Sequence, residues 1–326
     1  MVIIVGAGPI GLAVAIALKQ KNIPVKIIER GCLVNSIFNY PKNMTFFSSS
    51  ERLEIGDVPF ISHGPKPTRT EALEYYRRAA EHYELDINLY EEVQNVSGED
   101  GAFTVQTDKD TYSASKIVVA TGFYDIARKM HVPGEELDKV THYYDQAHKY
   151  AWQDIVVIGG GNSAVDAALE TYRSNANVTL VVRDASIKES VKYWVKPDIE
   201  NRIKNGEIQA YFNSVVSEIT RDEVTIDTPE GTKTISNDFV LAMTGYQPNL
   251  EMMKKFGIEL SDDKKKMPLY NENTLETNRK GIYVAGVVCG GMDTSSLFIE
   301  NTRIHAKHIS EDIKNNMRAM ELKGKA

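Results

Sequence analysis

The chain has 326 residues, 42% of them hydrophobic, 9% aromatic and 25% charged, with a formal net charge of −7. That is an ordinary globular composition with room for about two domains, and its acidic balance, with no Lys/Arg stripe, argues against nucleic acid as a standing partner. No stretch reaches transmembrane length free of charge, and two cysteines, Cys32 and Cys289, suggest no disulfide framework and fit a reducing cytoplasm.

The chain opens on Val2-Ile3-Ile4-Val5, the short Val/Ile run of a parallel strand buried on both faces. Gly6-Ala7-Gly8-Pro9-Ile10-Gly11 follows and leads into a helix from Leu12 to Lys19. These glycines break the apolar run, which also lacks a basic leader, so it does not read as a signal peptide. In a dinucleotide-binding fingerprint the first glycine makes the tight turn and the second lets the backbone approach a pyrophosphate. The third lets helix and strand pack closely, while the helix N-terminus meets the phosphates. A second apolar run, Val25 to Ile28, ends in Glu29-Arg30. This is the place where an acidic residue accepts the hydroxyls of a free ribose, as in FAD or NAD.

Cys32 to Pro67 reads as a long irregular segment rich in aromatics and hydroxyls, a length that points to function. Thr70 to Tyr83 reads as a helix with Thr70 as N-cap and Ala72, Tyr75, Tyr76 and Ala79 on one side. Strands are predicted around Asn88 to Glu92, Phe103 to Thr107, Thr111 to Ser113 and Lys116 to Ala120. The last of them ends in Ala120-Thr121-Gly122-Phe123.

The opening pattern then recurs. Ile155-Val156-Val157-Ile158 leads into Gly159-Gly160-Gly161-Asn162-Ser163-Ala164, a helix from Val165 to Tyr172, and a second run Val178 to Val181 followed by Val182-Arg183. Gly159, Gly161 and Ala164 fall on Gly6, Gly8 and Gly11, while Val182 falls on Glu29 and Arg183 on Arg30. Val182 accepts no hydrogen bond, whereas Arg183 can grip a phosphate bidentately. The first copy is therefore expected to hold FAD and the second NADPH, through its 2′-phosphate. Lys188 reads as a solvated lysine. A strand from Asp238 to Met243 ends in Thr244-Gly245-Tyr246, a near-copy of Thr121-Gly122-Phe123.

The expected architecture is α/β, with two Rossmann-like dinucleotide-binding domains and the NADPH domain inserted into the FAD domain. Residues 1–124 and 246–326 form the FAD part and 125–245 the NADPH part. Met252 to Pro268, with Lys264-Lys265-Lys266, reads as a solvated connector. The chain re-enters the first domain through Thr277 to Gly286, closes it with a helix from Ser295 to about Met317, and ends in a frayed tail, Arg318 to Ala326. Cys289 and Cys32 read as small hydrophobes rather than nucleophiles. His305 and His308 lie at i, i+3 on the last helix with no third ligand converging; His305 reads as helix surface, with an approach to the flavin edge as the alternative. No metal site is expected, and no catalytic residue can be assigned.

Gly6-Ala7-Gly8-Pro9-x-Gly11, Ala120-Thr121-Gly122, Gly159-Gly160-Gly161-Asn162-Ser163-Ala164 and Thr277-x-x-x-Gly281-Ile282-Tyr283-x-Ala285-Gly286 together resemble the low-molecular-weight thioredoxin reductase-like flavoproteins. Within them, Phe38-Asn39-Tyr40-Pro41, Thr45-Phe46-Phe47-Ser48-Ser49-Ser50, Ile55-Gly56-Asp57-Val58 and Phe298-Ile299-Glu300-Asn301 resemble the YpdA family of bacillithiol disulfide reductases. The resemblance implies FAD, NADPH, a homodimer or higher homo-oligomer, and reduction of a low-molecular-weight disulfide or another two-electron acceptor. It also implies flavin contacts from Tyr40, Phe47, Ser48, Val93, Gly286, Val287 and Ile299, and nucleotide contacts from Asn162, Ser163 and Gly245.

Three departures stand out. His142 to Asp154 contains no cysteine, where thioredoxin reductases carry Cys-x-x-Cys, so a dithiol relay to thioredoxin is not expected. Ala285-Gly286-Val287 replaces that superfamily's Ala-Gly-Asp, as it does in YpdA-type proteins, which leaves flavin binding there to backbone. Many YpdA-type proteins carry a cysteine where this chain has Ile10, which argues against a thiol relay. Rival expectations are a ferredoxin or flavodoxin–NADP reductase and a small flavin monooxygenase, although Glu136 and Asp138 break the monooxygenase pattern ahead of His142. A nucleotide-binding redox sensor is the non-enzymatic rival.

Overall fold

A computed structural model describes residues 1–323, with side chains through Arg318. The chain divides into two compact units: Met1–Phe38, Thr45–Ile126 and Tyr246 onward form the first, Asn39–Met44 and Ala127–Gly245 the second. The short Asn39–Met44 segment belongs to the unit that was expected to begin only at 125.

In the first unit the strand Val2–Val5 lies at the centre of a five-stranded parallel sheet. Val25–Ile28 pairs on one side and Lys116–Val119 on the other, with Val2 opposite both Val25 and Lys116. Ile87–Asn88 and Ile282–Val284 complete the edges. All four residues of the central strand are buried, as an apolar run covered on both faces requires. The helix Pro9–Lys19 is buried along most of its length and packs against the C-terminal helix His305–Lys323. Ile3, Ile4, Leu12, Ile16 and Leu18 form the fully buried centre.

The second unit repeats this plan. Asp154–Ile158 is central, flanked in parallel by Asn177–Val181 and Phe239–Ala242, with Gln209–Tyr211 and Val140–Thr141 at the edges. Its core joins Val157, Val165, Leu169, Leu180 and Leu241. Each unit also carries a three-stranded antiparallel sheet, 93–99/102–107/111–114 in the first and 215–219/223–228/231–236 in the second.

Several expectations are corrected. The helix after Pro67 is Arg69–His82, and its N-cap is Thr68, not Thr70. Thr68 and Glu71 form a capping box in which the Glu71 N–H donates to Thr68 Oγ1 and the Thr68 N–H donates to Glu71. The irregular segment contains two short helices, Asn35–Phe38 and Ser50–Leu53. The strand expected around Asn88 to Glu92 keeps only Asn88, in the edge strand Ile87–Asn88, and the next strand begins at Val93. The connector takes up most of the helix Leu250–Lys255 and folds back on itself where Leu260 bridges Pro268, and the Met292 N–H donates to its Lys265 O. The C-terminal helix is split into Ile299–Thr302 and His305–Lys323. It therefore runs through the start of the expected tail, whose last three residues lie outside the described range.

Candidate functional site

The first fingerprint has the three properties its glycines were expected to provide. Gly6 sits at φ +110°, and a Cβ there would lie 2.6 Å from the Ala120 carbonyl oxygen, so two strand ends meet through it. A Cβ on Gly11 would lie 2.0 Å from Gly6 O. Gly8 is different: nothing stands within 4 Å of its absent Cβ. The helix Pro9–Lys19 has Gly8 as N-cap, Pro9 in its first turn and no side-chain cap. Its first N–H groups point at this open space, which suits an anionic pyrophosphate.

Glu29 completes the loop. Its carboxylate oxygens accept from the Ala7 N–H at 2.8 Å and from the Gly31 N–H at 2.7 Å. An ionised carboxylate has about four acceptor positions, so capacity for a ribose diol remains. Burial raises the Glu29 pKa above the ordinary carboxylate range, against the pull of the two N–H groups, and the charge of Asp125 adds to the rise. Gly6, Glu29, Arg30, Val93, Thr121 and Gly122 line one cleft. Thr121 Oγ1 is buried there without a partner, as a group awaiting a polar ligand would be. Arg30 is held by Asp125 at 3.0 Å and by Glu92 at 3.8 Å. Glu91 and Asp125 also line the cleft; no motif had marked them.

Ile10 meets Gly286, and Val287 approaches Gly122 of the cleft lining. A Cβ on Gly286 (φ +83°) would meet Ile10 Cβ at 3.2 Å, and one on Gly122 would meet Val287 Cγ2 at 3.9 Å. The Gly286 N–H donates to His305 Nδ1 at 3.1 Å. His305 is therefore not plain helix surface, as had been expected, but fixes the turn that follows the edge strand. An Nδ1 that accepts must be unprotonated, in keeping with burial pushing the His305 pKa down to about 4.

Cys289 Sγ lies 3.9 Å from the same nitrogen. It is fully buried, and burial pushes its thiol up to about 12. Cys32 is half-buried, its pKa raised by burial and by Glu29. Neither environment stabilises a thiolate.

Phe47, Ser48 and Ile299 lie outside the lining of the cleft. Phe47 is exposed, its ring beneath Lys66 Nζ at 4.6 Å. Ile299 opens a short helix, and Tyr40 falls within the Asn39–Met44 segment of the second unit.

The second fingerprint shares the first one's geometry. Gly159 (φ +135°) would place a Cβ 2.5 Å from Met243 O and 3.2 Å from Ala164 Cβ, while nothing stands within 4 Å of an added Cβ on Gly161. The helix Asn162–Arg173 again has no side-chain cap. Gly160 is required for a reason the motif does not state: a Cβ there would lie 2.8 Å from Val182 Cγ1. Asn162 uses its side chain on the protein. It donates to Ser190 O at 3.1 Å and accepts from the Lys192 N–H at 2.9 Å, leaving its helix N-terminal N–H for a ligand. Ser163 and Arg183 are exposed, and Gly245, three residues past the neighbouring strand Phe239–Ala242, takes φ +92°. His142 pairs with buried Glu135 at 3.2 Å, a structural role.

The family model for pyridine nucleotide-disulphide oxidoreductases matches residues 3–286. A bacilliredoxin reductase, Bdr, of Bacillus subtilis is 46% identical over 313 residues, covering 95% of this chain and 96% of that protein. The bacillithiol disulfide reductase Bdr (YpdA) of Staphylococcus aureus superposes with a TM-score of 0.94 at 43% identity, over 97% of this chain and 98% of that one. The Bacillus cereus counterpart gives 0.94 at 45% identity, over 97% and 99%. Among the described residues no helix is long and apolar enough to cross a membrane.

Proposed function

The chain belongs to the pyridine nucleotide-disulphide oxidoreductase family, and from that membership we propose that it reduces a low-molecular-weight disulfide of the bacillithiol disulfide type, as a cytoplasmic homo-oligomer. The overall balance is NADPH, a proton and one disulfide giving NADP⁺ and two thiols. Its cofactors are FAD, in the first unit, and NADPH, in the second. When bound in the first unit, held by the Gly6–Gly11 loop and Glu29, FAD would supply the two-electron redox chemistry between NADPH and the disulfide.

The observation that carries this reading is the pair of glycine cradles. Gly8 and Gly161 each leave open space under an uncapped helix N-terminus, yet the ribose-reading positions differ as Glu29 and Val182-Arg183. The chain's own tasks follow from that geometry. Glu29 orients a free diol, Thr121 offers a buried hydroxyl, and the Gly286 turn, pinned by His305, holds backbone against Ile10.

The test is NADPH consumption by flavin-loaded protein with bacillithiol disulfide, ferredoxin, flavodoxin and oxygen as separate acceptors. The disulfide should be the fastest. Turnover with ferredoxin or flavodoxin, and none with the disulfide beyond the oxygen rate, would reject the proposal.

Two variants extend the test. Losing one bidentate charge-assisted contact removes about 1.5–3 kcal/mol, so Arg183→Ala should raise the KM for NADPH about 10- to 100-fold and leave NADH nearly unchanged. Equal losses for both nucleotides would make Arg183 a structural residue. Replacing both Cys32 and Cys289 by Ser should leave both flavin reduction and disulfide turnover intact, because neither thiol sits where a thiolate forms. Stopped-flow reduction by NADPH and steady-state turnover report the two halves separately. Loss of disulfide turnover alone would mark one of the two as a relay after all.

A further inference from the structure

Arg128 belongs to neither fingerprint. Both of its backbone groups are tied to the end of the strand Phe239–Ala242: its N–H donates to Gly245 O at 2.9 Å, and Thr244 Oγ1 donates to its carbonyl at 2.6 Å. The same strand end supports the second fingerprint, because the close neighbour of Gly159 is Met243 O. Arg128 is thereby fixed at the carboxyl edge of the sheet, beside the loop Gly159–Gly161. Its stem runs past Gly245, where the atom nearest an added Cβ is Arg128 Cδ at 3.9 Å.

Arg183 reaches the loop from the other side. The strand Asn177–Val181 that delivers it and the strand that anchors Arg128 flank Asp154–Ile158 on opposite sides. Two strand spacings put their backbones about 10 Å apart. The two charges nevertheless sense each other: burial first, and then the positive charge of Arg183, holds the Arg128 pKa below its ordinary value. Two arginines delivered by strands on opposite sides of a glycine loop with open space at Gly161 form a setting for an anion lying between them.

We propose that Arg128 is a second phosphate-binding residue of the nucleotide site, gripping the pyrophosphate from the side of the sheet opposite Arg183. This rests on the reading of the second unit as the NADPH unit. The two arginines then divide the work. Arg183 reads the 2′-phosphate and sets the choice of NADPH over NADH, whereas Arg128 holds a group that both nucleotides share.

Calorimetric titration of the flavin-loaded protein with NADP⁺ and with NAD⁺ separates these roles. Arg128→Ala should weaken both nucleotides by the same factor, about tenfold or more for a lost charge-assisted contact. Arg183→Ala should weaken NADP⁺ alone. Flavin content and melting temperature show whether each variant is folded. If Arg128→Ala is not, Arg128→Lys is read instead, since it keeps stem and charge without the fork; a smaller but equal loss for both nucleotides supports the assignment. Unchanged affinity in the folded variant, or a loss confined to NADP⁺, overturns it. Failure of the parent protein to bind either nucleotide would overturn the NADPH reading itself, and that shows before any variant is made.

Discussion

Gly11→Val should yield protein that carries no flavin, seen as loss of the visible flavin absorbance relative to the protein absorbance after purification. Already the first carbon of any side chain there would stand 2.0 Å from Gly6 O and 3.2 Å from Gly6 C. Gly6 cannot withdraw cheaply. Its N–H donates to Ile28 O at 2.9 Å, and on its other side a Cβ would lie only 2.6 Å from Ala120 O, so there is little room to move that way. The helix Pro9–Lys19 must move instead, carrying its N-terminal N–H groups away from the space at Gly8. Overpacking of this kind costs about 1–3 kcal/mol, occasionally more, and the damage falls where the pyrophosphate must be met.

The second copy supplies a control. Ala164, at the corresponding position, is fully buried and tolerated, its Cβ forming part of the wall beside Gly159. Ala164→Gly should leave flavin content unchanged. A yellow Gly11→Val protein with a full complement of FAD would show that the first cradle is not the flavin site.

The parts of this fold legible in the sequence are those where one physical demand dominates. Val2–Val5 and Asp154–Ile158 had to be central strands, because runs so apolar are stable only when covered on both faces. The glycines were legible because turn, open approach and close packing each exclude a side chain. The antiparallel sheet 215–236 was not legible. Its last strand, Gly231–Ser236, is almost wholly exposed and built from Thr, Lys and Ser, so no alternation marks it. Val93–Glu99 was hidden likewise, since only Val93 and Val96 of its residues are buried and Gly98 interrupts it.

At the site, the sequence identified residue types but not their partners. Asn162 is marked by its motif, but only the structure shows that its side chain serves the Ser190–Lys192 loop, which leaves its backbone N–H for a nucleotide. His305 looked like helix surface, since helical spacing cannot reveal an N–H arriving from Gly286. Arg128 had no signal at all. Its position follows from a strand end more than a hundred residues away in the chain.

Glu29→Gln should cost both stability and FAD affinity, and the two losses can be measured apart. The amide keeps the volume but presents an NH₂ group to either the Ala7 or the Gly31 N–H, so two donors face each other where the carboxylate accepted both. A buried donor left without an acceptor costs about 1–3 kcal/mol, which denaturant unfolding of flavin-free protein will register. The diol contact is charge-assisted only with a carboxylate, so FAD affinity should also fall about 10-fold or more. Acidity adds a signature. The accepting form is the ionised one, and the Glu29 pKa is raised, chiefly by burial. FAD affinity of the parent should therefore be full above that raised pKa and fall as pH drops through it. For the same group the unliganded fold gains stability over that interval, because the folded chain binds the proton more tightly than the unfolded one. The Gln variant should show neither trend. A variant that binds FAD as tightly as the parent, with the parent's pH dependence intact, would remove Glu29 from the ribose and leave it as a brace for the Ala7–Gly31 loop.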